Sequence, residues 1–164
     1  MSAHYSLLLA LPLVPALAAD NFQVLDFVLN DHGAQPDALP SHACFKRFAP
    51  QFRFHQAYRD VVRGAWASIF WRRQADDGSV CQAGVNLVLP GLKLEAVWQD
   101  LFPFAQWLAS MSCAQGSVGI VVAEDLNNVE PMVLYVRNAR LFVGSSKLED
   151  VCAVDDGAPY LSED

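Results

Sequence analysis

Apolar and polar positions alternate with two different periods along this chain, and the change from one period to the other marks its elements. From Leu92 to Met111 the apolar residues fall at Leu94, Val97, Trp98, Leu101, Ala105, Leu108 and Met111. Residues three and four apart share one face of an α-helix, so the spacing predicts a helix with a broad stripe to bury. Pro103 lies inside it, where it removes a backbone donor and crowds the preceding turn. The segment is therefore expected to kink there or to divide into two abutting helices. Upstream, CQAGVNLVLP has period two: Cys81, Ala83, Val85, Leu87 and Leu89 point one way, Gln82, Gly84 and Asn86 the other, and Pro90-Gly91 is expected to stop the strand.

The remaining elements follow from the same two periods. AWASIFWRR, residues 65–73, is apolar on both faces and reads as an interior strand. Asp76-Asp77-Gly78-Ser79 is a hairpin turn leading into the 81–90 strand, because Gly accepts the positive φ of tight turns. A strand or extended edge is expected over Gln51 to Tyr58, and at most one helical turn near His42 to Phe48 among prolines 36, 40 and 50. After the central helix, Gly116-Ser117-Val118-Gly119 opens a β-branched strand, Met132 to Arg137 pairs back, and Asn138-Ala139 reverses the chain into Leu141-Phe142-Val143-Gly144. The order β-α-β-β-β-α-β-β-β predicts an α+β fold, a mainly antiparallel sheet with two helices packed on one face. Residues 1–144 form its single domain, and 145–164 an acidic, mostly irregular tail with one turn near Leu148 to Cys152.

The first twenty residues admit two readings. An apolar core from Leu7 followed by Ala16-Leu17-Ala18 resembles a cleaved signal peptide, which would place the protein in the periplasm. No Lys or Arg precedes Leu7, however, and Pro12 and Pro15 interrupt the apolar run. The other reading keeps His4 to Leu11 as a buried strand, with Pro15 in the first turn of a helix reaching Asn30, and leaves the protein in the cytoplasm. Phe22, Leu25, Val28 and Leu29 then share a face.

Composition narrows the classes of function. The chain is 53% hydrophobic and 18% charged. That balance excludes intrinsic disorder and suits one domain with a well-filled core or an exposed apolar binding face. No apolar run is long enough to span a bilayer. The formal net charge is −7, unevenly distributed. Seven basic residues stand against one acid between Lys46 and Arg73, whereas nine acids stand against three bases from Glu124 to Asp164. A pI near 4.9 argues against nucleic acid, and the acidic end suits a basic protein partner.

Candidate chemistry is sparse. Cys44, Cys81, Cys113 and Cys152 lie far apart along the chain, without a CxxC pair. No metal set is predicted from that spacing, and buried free thiols are expected, or disulfides if the chain is exported. No GxSxG elbow, GxGxxG loop, P-loop or HExxH motif occurs, and no cofactor is implied. The nearest approach to a catalytic set is His55, Tyr58, Arg59 and Asp60, too close in sequence to converge on one strand or turn.

A resemblance adds a direction. Val85-Asn86-Leu87-Val88-Leu89-Pro90, Trp98 and Phe104 in the helix, Gly116-Ser117-Val118-Gly119-Ile120-Val121-Val122, and Glu130-Pro131 with Tyr135 resemble the later part of bacterial type VI secretion immunity proteins. The resemblance spans about a third of the chain, from Val85 to Tyr135. It implies a non-catalytic protein that binds a cognate toxin and occludes it. The residues expected to meet the partner are Glu124, Asp125 and Glu130, Asp155 and Asp156 in the tail, and the aromatic anchors Trp98 and Trp107 wherever these prove exposed. The alternatives are an acidic secretion chaperone for an effector, commonly dimeric, and a small enzyme whose site assembles only in three dimensions. Oligomeric state is left open.

Overall fold

The computed structural model describes residues 4–30, 36–46, 69–124, 129–145 and 152–153. These form a seven-stranded, wholly antiparallel sheet with helices on one face, the α+β architecture expected from the sequence. The strands are β1 (His4–Leu13), β2 (Ile69–Gln74), β3 (Val80–Lys93), β4 (Gly116–Ala123), β5 (Met132–Arg137), β6 (Arg140–Gly144) and β7 (Cys152–Ala153). Their order across the sheet is β2-β3-β1-β4-β5-β6-β7. The helices are α1 (Ala19–Asn30), α2 (Ala43–Lys46), α3 (Leu94–Ala96) and α4 (Phe102–Ser110).

β1 is the centre of the sheet, pairing with β3 on one side and β4 on the other. Its alternate residues Tyr5, Leu7, Leu9, Leu11 and Leu13 are buried, and they meet a layer made by Val24, Leu25 and Val28 of α1 and Phe102, Phe104, Ala105 and Leu108 of α4. The expected strand at the start of the chain is thus present. The helix after it begins at Ala19, beyond Pro15 rather than around it. Val14 still donates its N–H to the Met111 carbonyl at 2.9 Å, so Pro15 lies in the connection and the first helical bond runs from Phe22 N–H to Ala18 O at 3.0 Å.

Pro103 neither breaks nor separates the central helix. A π-helical turn, Val97–Leu101, joins α3 to α4, and Phe102 N–H reaches back to Val97 O. The wider turn accommodates a residue that has no N–H and whose ring would crowd a regular α-helical turn.

Two strand expectations are corrected. β2, apolar on both faces and so expected inside the sheet, is an edge strand among the described residues, with Phe70 buried and Ile69 47% exposed. β3 does not stop at Pro90-Gly91. Tyr5 pairs with Leu92 and Leu7 with Leu89, so Pro90 and Gly91 bulge out opposite Ser6 and the strand resumes to Lys93. Gly91 has φ +70°. Glycine adopts such a bulge conformation without steric penalty.

The hairpins form as expected. At 76–79, Ser79 donates its N–H (2.9 Å) and hydroxyl (2.6 Å) to the Asp77 carboxylate. These bonds hold the Asp77 carboxyl below its ordinary pKa. At the other turn Asn138 and Ala139 have positive φ, 51° and 60°. Positive φ at both central residues is the geometry of a type I′ turn. β7 adds a short strand where an irregular tail was expected. The strand expected over Gln51 to Tyr58 lies outside the described residues. Of the cysteines, Cys44 is buried as expected, whereas Cys81 and Cys113 are exposed.

Candidate functional site

Among the described residues the helices all pack against one face of the sheet, which leaves the other bare. Cross-strand pairing fixes what it presents. On β1 the residues opposite to the core set are Ser6, Leu8, Ala10 and Pro12. Leu8 pairs directly with Val88 on β3 and with Ile120 on β4, and Ile120 pairs with Val133 on β5. Val88, Leu8, Ile120 and Val133 therefore form an apolar row running across four strands. Leu8 is 44% and Ile120 36% exposed. Trp71 flanks the row at one side, lying over Gly84, and Tyr135 paired with Phe142 at the other. A contiguous apolar surface of this kind marks an interaction site more often than a solvated face.

Among the described residues, the two ends of this face carry side chains of opposite charge. At the end where β4 finishes, Glu124 is exposed, and its carboxylate accepts hydrogen bonds from the Ser6 hydroxyl and from Gly91 N–H, the latter at 2.8 Å. Its own N–H donates to His4 O at 2.8 Å. The bulge at Pro90-Gly91 and the end of β1 thus hold this carboxylate in place. Glu130, just before β5, is exposed at the same end, beside Val129 at 45% exposure. At the other end Arg137 and Arg140 sit directly opposite one another across the β5–β6 hairpin, both exposed. Among the described residues neither guanidinium is paired with a carboxylate. Ser117, Tyr135, Arg137 and Phe142 line a recess of about 500 Å³ beside them.

The residues expected to meet a partner fall into four groups. Glu124 and Glu130 are exposed and share the acidic end. Trp98 is half-buried, its ring edge-on to Phe102 at 4.6 Å. Trp107 is 1% exposed, packed edge-on against Phe45 at 4.9 Å and donating Nε1–H to Asn21 Oδ1 at 3.3 Å, so it is a core residue with no surface to offer a partner. Asp125, Asp155 and Asp156 lie outside the described residues, as do His55, Tyr58, Arg59 and Asp60.

Sequence reasoning misses the apolar row and the arginine pair. The signal is available in β1, where SLLLALPL is apolar on both alternations, but such a pattern reads equally well as a strand covered on both faces. No group of three His, Cys, Asp or Glu side chains suited to a metal ion occurs among the described residues. No helix among them is long and apolar enough to cross a membrane. Comparison with protein-family models, with curated proteins and with solved structures finds no match.

Proposed function

We propose that this chain is a non-catalytic protein-binding module, an immunity protein that neutralises a cognate bacterial toxin by binding and covering it. The observation that carries the reading is the bare sheet face, an apolar row between an acidic and a basic end. The similarity of Val85 to Tyr135 to type VI secretion immunity proteins supplies the class of partner. Apolar pairs in the middle of such a face supply contact area, while charge at its ends sets orientation and association rate. Glu124, already fixed by Ser6 and Gly91, loses little freedom when a basic side chain meets it. A standard interface buries on the order of 1,600 Å² in total.

The test begins with the reading frame beside this one. A toxin encoded there should arrest growth when expressed alone and should be neutralised by co-expression of this chain. Ile120→Asp should abolish protection without unfolding the protein, and Glu130→Arg should slow association at low salt. A chain that neither binds nor protects against the neighbouring product sinks the proposal. The same bare face also suits an acidic secretion chaperone, which would bind its client only in the unfolded state. The proposed compartment is the cytoplasm; export with cleavage after Ala18 would leave the chain without β1, and the mature N-terminus read by sequencing decides between the two.

A further inference from the structure

We propose that the recess beside the β5–β6 hairpin is a binding site for a small aromatic oxyanion, a planar ring carrying a carboxylate or phosphate group, and that Arg137 holds the anionic group.

Strand pairing builds the recess. Ser117 pairs directly with Tyr135 and Tyr135 with Phe142, so the three side chains stand in one row across β4, β5 and β6. Ser117 joins that row only because β4 is irregular. Ser117 lies opposite Tyr135 and Gly119 opposite Leu134, the next residue back along β5, so Val118 is an extra residue on β4. In a regular strand residues 117 and 120 would point to opposite faces. The bulge turns Ser117 to the face that Ile120 occupies, while Val118 stays buried. Bulges re-aim side chains in this way beside functional sites. The resulting space is about 500 Å³. Small-molecule sites occupy about 300–1,000 Å³, and one inorganic anion would leave most of such a space unfilled.

The lining favours one kind of ligand. Tyr135 and Phe142 supply aromatic surface against which a planar ring packs. Arg137 supplies a guanidinium, Ser117 and Tyr135 supply hydroxyls, and among the described residues no carboxylate lines the recess. Gln115 Oε1 already accepts from Asn138 N–H at 3.4 Å, which leaves the Gln115 NH2 group, another donor, to offer. A guanidinium has the fork geometry that grips a carboxylate or phosphate through two parallel hydrogen bonds. Arg140 stands directly opposite Arg137 across the hairpin, and like charges so placed are unfavourable. Among the described residues no carboxylate offsets that repulsion, and an oxyanion held by Arg137 does. Local arrangements that cost stability without a compensating contact are expected at functional sites.

Titration of the intact, isotope-labelled chain with benzoate and with phenyl phosphate, followed through its amide chemical shifts, tests the site. At least one probe should shift Ser117, Val136 and Arg137 saturably and leave the β2–β3 hairpin unmoved, and the tighter of the two identifies the oxyanion. Benzamide keeps the ring without the charge, and inorganic phosphate keeps the charge without the ring. Each should bind at least about tenfold more weakly than the tighter probe. Arg137→Gln should weaken that probe by at least about tenfold, and Arg137→Lys, which keeps the charge but loses the fork, by less. Arg137 is exposed, so both variants should retain the shift dispersion of the parent chain. Absence of saturable shifts with either probe overturns the proposal, as does binding indifferent to Arg137→Gln, or benzamide or inorganic phosphate binding as tightly as the better probe. No toxin enters this experiment, so its failure leaves the growth test of the proposed function standing, and failure of the growth test leaves the recess as it is.

Discussion

The side-chain amide of Asn30, the last residue of α1, bonds to both main-chain groups of Phe70 in β2. Its Nδ2 donates to Phe70 O at 2.8 Å, and its Oδ1 accepts from Phe70 N–H at 3.0 Å. One carboxamide therefore does for the edge of β2 what a neighbouring strand would do, and Asp26, one turn earlier, accepts the second Nδ2 proton at 3.0 Å. An edge strand that offers open N–H and C=O groups invites pairing with other chains, and a helix-borne amide closes that opportunity at Phe70. Asn30→Ala should cost about 1–2 kcal/mol, since two half-buried main-chain groups lose their partner. Asn30→Asp should do no better, because a carboxylate cannot donate to Phe70 O and stands beside Asp26. Urea unfolding with an unchanged m-value measures both; a loss confined to the Ala variant contradicts this account.

The opposite side of the sheet uses the same device. Gln106 of α4 is 3% exposed, and its Oε1 accepts from Leu141 N–H of β6 at 2.7 Å, next to the two residues that β7 covers. Gln106→Leu fills the same space but leaves a buried donor unsatisfied, at a cost of about 1–3 kcal/mol. Gln106→Glu retains an acceptor but buries a charge, so its stability should be lowest at neutral pH and recover as the carboxyl is protonated. Chemical unfolding at two pH values distinguishes the two variants.

The alternations reveal which residues form strands and helices, but not which strand lies beside which. CQAGVNLVLP announces its inward set, and Ala83, Val85, Leu87 and Leu89 are buried. The edge position of β2 is hidden in the sequence because two apolar faces look alike whether a strand is covered by neighbours or, as for Phe70, by α1 and an amide. Pro90-Gly91 looks like a stop because the residue it bulges against, Ser6, lies at the far end of the chain. Trp98 and Trp107 are indistinguishable by spacing; only the π turn and the packing of α2 decide that one is half-exposed and the other enclosed. The acidic end is legible as composition. The bonds that fix Glu124 are not, since Ser6 and Gly91 reach it from two other strands.

Gly119 and Gly84 both sit where a side chain would collide, with different consequences. A Cβ at Gly119 would strike the Leu8 carbonyl and lie 3.0 Å from Leu9 Cα, in the backbone of the central strand. A Cβ at Gly84 would strike only the Trp71 indole, which lies on the bare face and can swing away. Gly119→Ala should thus cost about 1–3 kcal/mol or more, as overpacking does, and Gly84→Ala less. Equal losses in thermal unfolding would mean that the indole is held as firmly as the strand.

The turn between β5 and β6 leaves room for a stabilising change. Ala139 has φ 60°. A left-handed conformation costs a residue with a Cβ about 1–2 kcal/mol. Glycine adopts it freely, and Asn-Gly is the preferred pair for this turn. Part of the gain is offset by glycine's greater freedom in the unfolded chain. Ala139→Gly should raise stability by about 0.5–1 kcal/mol on balance. A lower unfolding temperature would contradict the assigned turn geometry.

Every other strand depends on β1. His4–Leu13 pairs with β3 along most of its length and with β4 from Tyr5 to Leu9, and five of its side chains enter the core. Among the described residues, β2 and β3 join the remaining four strands of the sheet only through it. A chain beginning at Ala19 must either join β3 to β4 directly or leave two edges and a slot in the core where five apolar side chains stood. Direct joining would move β2 and β3 one strand closer to β4, out of step with α1, which packs against β2, and α4, which packs against β1 and β6. The shortened chain should therefore lack a cooperative unfolding transition, and adding a peptide of residues 4–18 should restore one. Cooperative unfolding of the shortened chain alone, with dispersed amide resonances, would show that the sheet does not need its central strand.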